Sequence, residues 1–413
     1  MTVEAPPGRS GALAGAGRTL GVAAFGGSVA FATVVVLCQV LALANLLLLG
    51  GYGLWSWLKI GLLTALLSLR ADVVAVVQGP PAFPSAARSA TIPLRVVPMV
   101  LTIVFLWLAV RTGRRVARAR PGGSPFLASG LAAAGAGVPV ALLAGICAGL
   151  TTLSFPSLGL GLRVEVGSAA LCAGILAGAG AGTGAYLESA GGRSSAAALR
   201  GGLTAYGWAL GLIAVGVLVL ATLEPTLTRA YVDGLTGLGS PGRALLGFHL
   251  LAFPAQSALL LAPASGSCLE IIGEGPMFDL CPWHLVASGP AGEGFLHEPL
   301  GLSPWFWLLS TVPVIAAALG GHRAVSGATA TGRRAIGLGV VAGFAFALLS
   351  VLGAWFAAPH LSPVVVPIQL SVGHAWARTA IAALVWGTVG GALGAWLAGR
   401  RYEEPELPRP TSA

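Results

Sequence analysis

The chain has 413 residues, of which 56% are hydrophobic and only 9% are charged, and its formal net charge is +9. Soluble domains carry about 25% charged residues, so this composition excludes a soluble globular protein. The arginines lie at the ends of apolar runs, so the positive charge indicates orientation in a membrane and not nucleic-acid binding. The composition therefore predicts a polytopic integral membrane protein surrounded by a lipid bilayer.

Apolar runs of about 18–20 residues or more predict the membrane-crossing helices. Eight runs are expected to cross: 20–50, 93–110, 126–152, 166–187, 202–223, 302–320, 336–357 and 378–399. Two further apolar runs, 53–77 and 244–266, are expected to enter the membrane or its interface without crossing it. In the second run, Pro254 removes a backbone donor and interrupts the helix. The predicted fold class is an all-α polytopic helical membrane protein.

The distribution of arginines predicts the orientation of the chain. Segment 111–120 holds five arginines in ten residues, which places it in the cytoplasm. Counting outward, both the N-terminal segment 1–19 and the tail 401–413 are cytoplasmic, and the protein lies in the cell membrane. If 244–266 crossed, the acidic loop 267–299 would be inside and the basic loop 321–335 outside. The charge rule therefore favours a non-crossing 244–266 and an external loop 267–299.

This topology divides the chain into two membrane halves, 20–190 and 202–400, with the same order of crossing and non-crossing segments. Both halves begin inside, so the pattern predicts a parallel internal repeat. Three short matches accompany it: Thr112-Gly113-Arg114-Arg115 with Thr331-Gly332-Arg333-Arg334, Val97-Pro98 with Val312-Pro313, and Gly184-Ala185-Tyr186-Leu187 with Gly394-Ala395-Trp396-Leu397.

The loop 267–299 is the most distinctive polar stretch, because Cys268 and Cys281 bracket three carboxylates. An external compartment allows disulfides, and a bond between these cysteines would restrict the loop. Two alternatives stay open: a metal site formed by the cysteines with His284 or the loop carboxylates, and two unrelated free cysteines. The tight ligand pairs typical of zinc sites are absent from the sequence, so no metal is predicted.

Within the apolar runs, two residues are candidates for an intramembrane function. His249 lies well inside 244–266, and an ionisable group at membrane depth is a functional hypothesis by default. The alternative is a neutral histidine that hydrogen-bonds across helices. Pro254, near the middle of the same run, is the second candidate.

Glycines spaced four residues apart occur in two predicted helices. Gly174, Gly178 and Gly182 share one helix face, and Gly387 and Gly391 share a face of the last helix. Small residues at this spacing allow close helix packing in lipid. We expect packing within the chain, with a face that binds another membrane protein as the alternative.

Motifs of enzymes and of ion-coupled carriers are missing from the sequence. There is no GxSxG, HExxH or Walker motif, and the middles of the spans are almost free of charge. The sequence predicts a protein that is not an enzyme and needs no cofactor.

Two stretches resemble the actinobacterial PerM-like family of multi-pass cell-division membrane proteins. They are IPLRVVPMVLTIVFLWLAVRTGRRVAR (92–118), with the alanine-rich helix after it, and RGGLTAYGWALGL (200–212). The resemblance implies a helical membrane protein that supports the division machinery through protein contacts. Where that family has a Leu-Pro-Asn turn, this chain reads Phe253-Pro254-Ala255-Gln256. The leading hypothesis is a scaffold for other membrane proteins, and the alternative is a transporter or lipid-handling permease with a duplicated fold.

Overall fold

The structure is a computed structural model in which helices joined by short strands account for most of the chain. It describes residues 9–49, 54–78, 89–95, 97–119, 124–155, 160–191, 193–223, 225–237, 240–267, 269–272, 277–280, 285–288, 304–358, 360–361, 370–374 and 376–403. The chain divides into two compact units. Unit 1 is Met1–Ala190 with Leu361–Val366, and unit 2 is Gly191–His360 with Pro367–Ala413.

Eleven α-helices lie within the described residues. The five of unit 1 are α1 (Arg9–Leu49), α2 (Leu54–Ser68), α3 (Met99–Arg118), α4 (Pro125–Leu150) and α5 (Val166–Ser189). The six of unit 2 are α6 (Ser194–Leu223), α7 (Pro225–Gly237), α8 (Ser240–Ala264), α9 (Val312–Ala328), α10 (Gly332–Ala357) and α11 (Trp376–Glu403). A 3₁₀ helix, Pro304–Thr311, leads into α9.

Seven of the described helices are long and apolar enough to cross a membrane: α1, α4, α5, α6, α9 with the end of the 3₁₀ helix, α10 and α11. The protein is therefore a polytopic helical membrane protein, as its composition predicts. Helix α3 is 20 residues long but carries four arginines in its second half, which separates it from this group. Two shorter apolar helices, Trp55–Ser68 and Ala252–Ala264, lie in the segments predicted not to cross.

Short antiparallel strands connect the helices of unit 1 at one end. They are β1 (Val73–Gln78), β2 (Ser89–Arg95), β3 (Thr152–Phe155) and β4 (Leu160–Val164), in the spatial order β3-β4-β1-β2. Sequence analysis assigned the end of run 53–77 to the membrane segment, but α2 stops at Ser68. The following residues, VVAVV, are mostly β-branched and favour a strand, which explains the difference.

Unit 2 has strands at corresponding places along its chain. They are β5 (Leu269–Ile272), β6 (Met277–Leu280), β7 (Leu285–Ser288) and β9 (Leu370–His374). Strand β8 (His360–Leu361) has one residue in each unit. Strand β5 pairs with both β9 and β6, and β6 pairs with β7, all antiparallel. In unit 1 the strand before the last helix, β4, likewise pairs with the first strand, β1.

Each unit has its own core of small and aliphatic side chains. In unit 1, Phe105, Leu66 and Val140 are fully buried among the alanines of α1, α4 and α5. In unit 2, Phe346 and Ile213 hold the same kind of position. Large apolar side chains on the outer faces, such as Leu142 and Phe344, are exposed, which suits helices surrounded by lipid.

Candidate functional site: glycine contacts, helix α8 and the cysteine loop

The glycines of α5 that sequence analysis singled out lie at contacts within unit 1. A β-carbon added at Gly178 would lie 3.1 Å from the carbonyl oxygen of Ala133 on α4. One added at Gly174 would lie 2.9 Å from the β-carbon of Ala141, and one at Gly182 would lie 3.1 Å from Oγ of Ser129. The missing side chains therefore let α4 and α5 pack backbone against backbone.

The glycines of α11 lie at contacts within unit 2. A β-carbon at Gly387 would overlap the carbonyl group of Gly343, and one at Gly391 would overlap that of Gly339. Glycine faces glycine here, so α10 and α11 approach more closely than any larger residue would allow. These five positions pack helices of one unit against each other.

A second set of close contacts joins α3 to α5 and α9 to α11. A β-carbon at Gly113 would overlap the carbonyl of Ala181, and one at Gly184 would overlap that of Val110. In unit 2, the corresponding overlaps are Gly321 with Gly391 and Gly394 with Ala318. Sequence analysis did not assign packing roles to Gly113 and Gly321, because neither belongs to a regular glycine series.

The first helix of each unit carries a pair of adjacent glycines that contact two neighbouring helices. In unit 1, a β-carbon added at Gly26 would overlap the Thr112 side chain of α3, and one added at Gly27 would lie 3.0 Å from the Ala136 carbonyl oxygen of α4. In unit 2, a β-carbon added at Gly201 would lie 2.6 Å from the Gly320 carbonyl oxygen of α9, and one added at Gly202 would lie 3.0 Å from the Ala342 carbonyl oxygen of α10. The same helix pairs meet through the same residue type in both units.

Helix α8 contains both residues proposed for an intramembrane function. It continues from Ser240 to Ala264 through Pro254, so the proline does not break the helix. Pro254 is half-buried, and the hydroxyl of Ser257 donates to the Phe253 carbonyl at 3.1 Å. The backbone of His249 is helical, but its side chain lies outside the described residues, so its role stays a prediction.

Helices α2 and α8 end in the same backbone motif. At the end of α2, the amide of Ala71 donates to the Leu66 carbonyl and the amide of Arg70 to the Leu67 carbonyl. At the end of α8, the amide of Ser267 donates to the Ala262 carbonyl and the amide of Gly266 to the Pro263 carbonyl. Arg70 has φ 64° and Gly266 has φ 90°, the left-handed conformation of a Schellman cap. Arg70 is buried, with 6% of its surface exposed, although an arginine rarely adopts this conformation.

Cys268 and Cys281 themselves lie outside the described residues, and their disulfide stays a prediction. The described strands beside them are paired, with Leu269 of β5 opposite Leu280 of β6.

Among the residues that the structure describes, no group of three His, Cys, Asp or Glu side chains could hold a metal ion. One apolar cavity of about 490 Å³ lies in unit 2 beside the end of α8, between Ser265, Thr311 and Trp386. The indole N–H of Trp386 donates to the Ser265 carbonyl at 2.9 Å and closes its polar end. Comparison with protein families, curated proteins and solved structures finds no match for this chain.

Proposed function

We propose that this protein is a non-enzymatic scaffold of the cell membrane that holds other membrane proteins through its outer helix faces. The main support is the close helix packing within each unit, where glycine and alanine backbones meet directly. Such packing leaves no room for a solute path along these helix contacts. The PerM-like resemblance adds a role in cell division to this proposal, and the arginine distribution supports a cytoplasmic position for both termini.

Helix α6 offers the outer face best suited to a partner helix. Gly207 and Gly211 lie one turn apart, and nothing among the described residues lies within 4 Å of a β-carbon added at either. Trp208, Val215 and Leu218 on the same helix are exposed. This glycine pair resembles those that pack helices inside the units, but it has no described neighbour. Small residues four apart allow a second membrane helix to approach closely.

Photo-crosslinking in native membranes tests this role. A photoreactive amino acid at Trp208 is expected to capture discrete protein partners, and one at the buried Ile213 is expected to capture none. Gly207→Ile with Gly211→Ile should abolish the adducts while leaving thermal stability unchanged. Adducts that persist in this double variant, or a Trp208 probe that captures lipid alone, would contradict the scaffold.

The runner-up function is a lipid-handling permease, and the apolar cavity beside Ser265 and Trp386 favours it. A scramblase assay on vesicles containing the purified chain decides between the two. Transfer of labelled lipid that Trp386→Ala removes would support the permease. Absence of transfer, together with the α6 adducts, would support the scaffold.

We further infer that the two units are copies of one ancestral bundle. The support is a constant numbering shift for each helix pair: Gly113 and Gly321 differ by 208, Gly184 and Gly394 by 210, and Gly27 and Gly202 by 175. The contact of Gly180 with Ala109 recurs, with the same shifts, as the contact of Gly390 with Ala317. In each case a β-carbon added at the glycine would lie 2.8 Å from the β-carbon of the alanine. The residue numbers of equivalent positions differ by 206 between α4 and α10, and by 196 between the C-terminal caps of α2 and α8.

This register corrects two of the three sequence matches. The Gly184 and Gly394 segments occupy equivalent positions. Thr112-Gly113-Arg114-Arg115, however, lies inside α3, whereas Thr331 precedes α10. Val97-Pro98 precedes α3, but Val312-Pro313 is the start of α9. It lies seven residues after the position that the shift of 208 between α3 and α9 gives for Val97-Pro98.

A further inference from the structure

A second cavity, of about 680 Å³, lies in unit 2 at the end opposite its strands. The start of α6, the end of α9 and the start of α10 line it, and it is open on one side. Its polar wall is formed by Ser194, Ser195, Thr329, Thr331 and Arg334, and its apolar floor includes Leu338 and Val341. The volume is within the range of about 300–1,000 Å³ that small-molecule sites occupy.

The polar wall is suited to an anion. Arg334 contributes a guanidinium group, and the described residues that line the cavity include no carboxylate. Three further arginines, Arg193, Arg323 and Arg333, are exposed on the flanking segments. Arginine offers two parallel donors to a phosphate, and hydroxyl groups add donors around it. The first amides of α6 and α10, at Ser194 and Gly332, contribute a favourable dipole but do not by themselves define the site.

The equivalent place in unit 1 is filled. With the shift of 206, Arg334 corresponds to the buried Ala128, and Val341 corresponds to Gly135. A β-carbon at Gly135 would lie 2.6 Å from that of Ala23 and 3.1 Å from the Leu20 oxygen, so α1 lies directly on α4. The larger Val341 cannot be accommodated in such a contact, and unit 2 has the cavity where unit 1 has packing.

We propose that this cavity binds a phosphate-bearing anion, with the phosphate on Arg334 and the hydroxyl groups around it. Two sources share this chemistry: the headgroup of an anionic phospholipid and a free phosphate compound. The apolar floor at Leu338 and Val341 continues toward the membrane helices and suits a lipid whose chains extend outward. The site does not depend on the scaffold role, because it is defined by unit 2 alone.

Native mass spectrometry of the full chain tests the lipid source. The wild-type protein is titrated with phosphatidylglycerol and, separately, with zwitterionic phosphatidylcholine. Arg334→Gln is expected to weaken phosphatidylglycerol binding roughly 10-fold or more, because a hydrogen bond to a charged group is lost. Arg333→Gln is the matched control: it removes the same charge from the neighbouring exposed residue, which does not line the cavity, and should have little effect.

Inorganic phosphate tests the free source, with thermal stabilisation in a neutral detergent as the readout. Stabilisation that Arg334→Gln removes and Arg333→Gln retains would assign a free phosphate compound. Gly337→Leu is a second variant that fills the cavity without changing charge, since nothing lies within 4 Å of a β-carbon there. It should weaken binding like Arg334→Gln. Equal effects of Arg333→Gln and Arg334→Gln, or binding of neither probe, would overturn the proposal.

Discussion

Unit 1 and unit 2 use the same helix contacts but differ at the contact of α1 with α4 in unit 1 and of α6 with α10 in unit 2. In unit 1, Gly135 lets α1 rest on α4, whereas in unit 2 Val341 faces the arginine-lined cavity. Deeper in the bundles, Gly113 and Gly321 make the same backbone contact. The comparison teaches that the helix crossings set by glycine are shared, while a larger residue stands beside a cavity at one end of unit 2.

The largest expected effects come from the contacts that both units share. Gly113→Ala and Gly321→Ala each place a methyl group against a backbone carbonyl, so α3 and α5, or α9 and α11, must separate. Each is expected to destabilise the protein by about 3 kcal/mol, at the upper end of overpacking costs. Thermal unfolding in detergent, followed by size exclusion, measures the loss.

The matched controls for these variants are Gly130→Ala and Gly211→Ala, at helical positions where nothing lies within 4 Å of the new methyl group. Each should be stabilising by about 0.5–1 kcal/mol, since alanine is the better helix former. A loss at Gly113 without one at Gly321 would break the equivalence of the two units.

A contact found in unit 2 alone gives the next largest effect. A β-carbon at Gly353 of α10 would overlap the hydroxyl of Tyr206 on α6, and that buried hydroxyl has no hydrogen-bond partner among the described residues. Gly353→Ala is expected to cost about 1–3 kcal/mol. By the proposed register, unit 1 has Phe31 in place of Tyr206 and Cys147 in place of Gly353. An aromatic ring without the hydroxyl therefore tolerates a residue larger than glycine beside it.

Tyr206→Phe therefore serves as the rescue. Alone it should leave stability unchanged or raise it, and combined with Gly353→Ala it should restore part of the loss in thermal unfolding. A double variant as unstable as the sum of the two single variants would show that the hydroxyl is not the cause.

The helix caps give a smaller effect. Gly266→Ala meets no neighbour within 4 Å, so its cost is the left-handed backbone conformation alone, about 1–2 kcal/mol. Unfolding of the variant beside Gly234→Ala, an open helical glycine of the same unit, measures it. Equal stability of the two variants would show that residue 266 does not need the left-handed conformation that Arg70 adopts in unit 1.

The smallest effect is expected at an ion pair found in unit 1. Arg118 at the end of α3 donates to Glu188 at the end of α5 at 2.8 Å, and the arginine side chain is 67% exposed. Exposed pairs contribute little, so Glu188→Gln should leave the unfolding temperature within measurement error. The equivalent residues of unit 2, Ser326 and Ala398, form no such pair. A clear loss would mean that the two bundles are held differently at this end.

Much of the architecture could be predicted from apolar runs, because a bilayer requires long uncharged helices. The two shorter apolar helices were also visible, from Pro254 and the charge balance. The strands were not, since runs such as VVAVV satisfy both a membrane segment and a strand. Helix α7 lies between the apolar runs 202–223 and 244–266, where no membrane segment was predicted.

The candidate sites divide in the same way. The glycine series of α5 and α11 follow a spacing that sequence shows directly. Gly113 and Gly321 do not, because a single close contact depends on how two helices cross. The Arg334 cavity depends on the start of α6 lying beside the α9–α10 turn, which is distant from it in sequence, and its arginine looked like an orientation signal. Arg333 and Arg334 are alike in sequence and differ only in what each lines.

Paired-cysteine crosslinking tests the central claim, that both units have the same helix crossings. The pairs are Ala109→Cys with Gly180→Cys and Ala317→Cys with Gly390→Cys, in chains without the native cysteines and with a protease site between each pair. Trp107→Cys with Gly180→Cys, which uses the exposed side of α3, is the control. We predict that mild oxidation in native membranes links both equivalent pairs and not the control. Crosslinking of one equivalent pair without the other would contradict the shared packing.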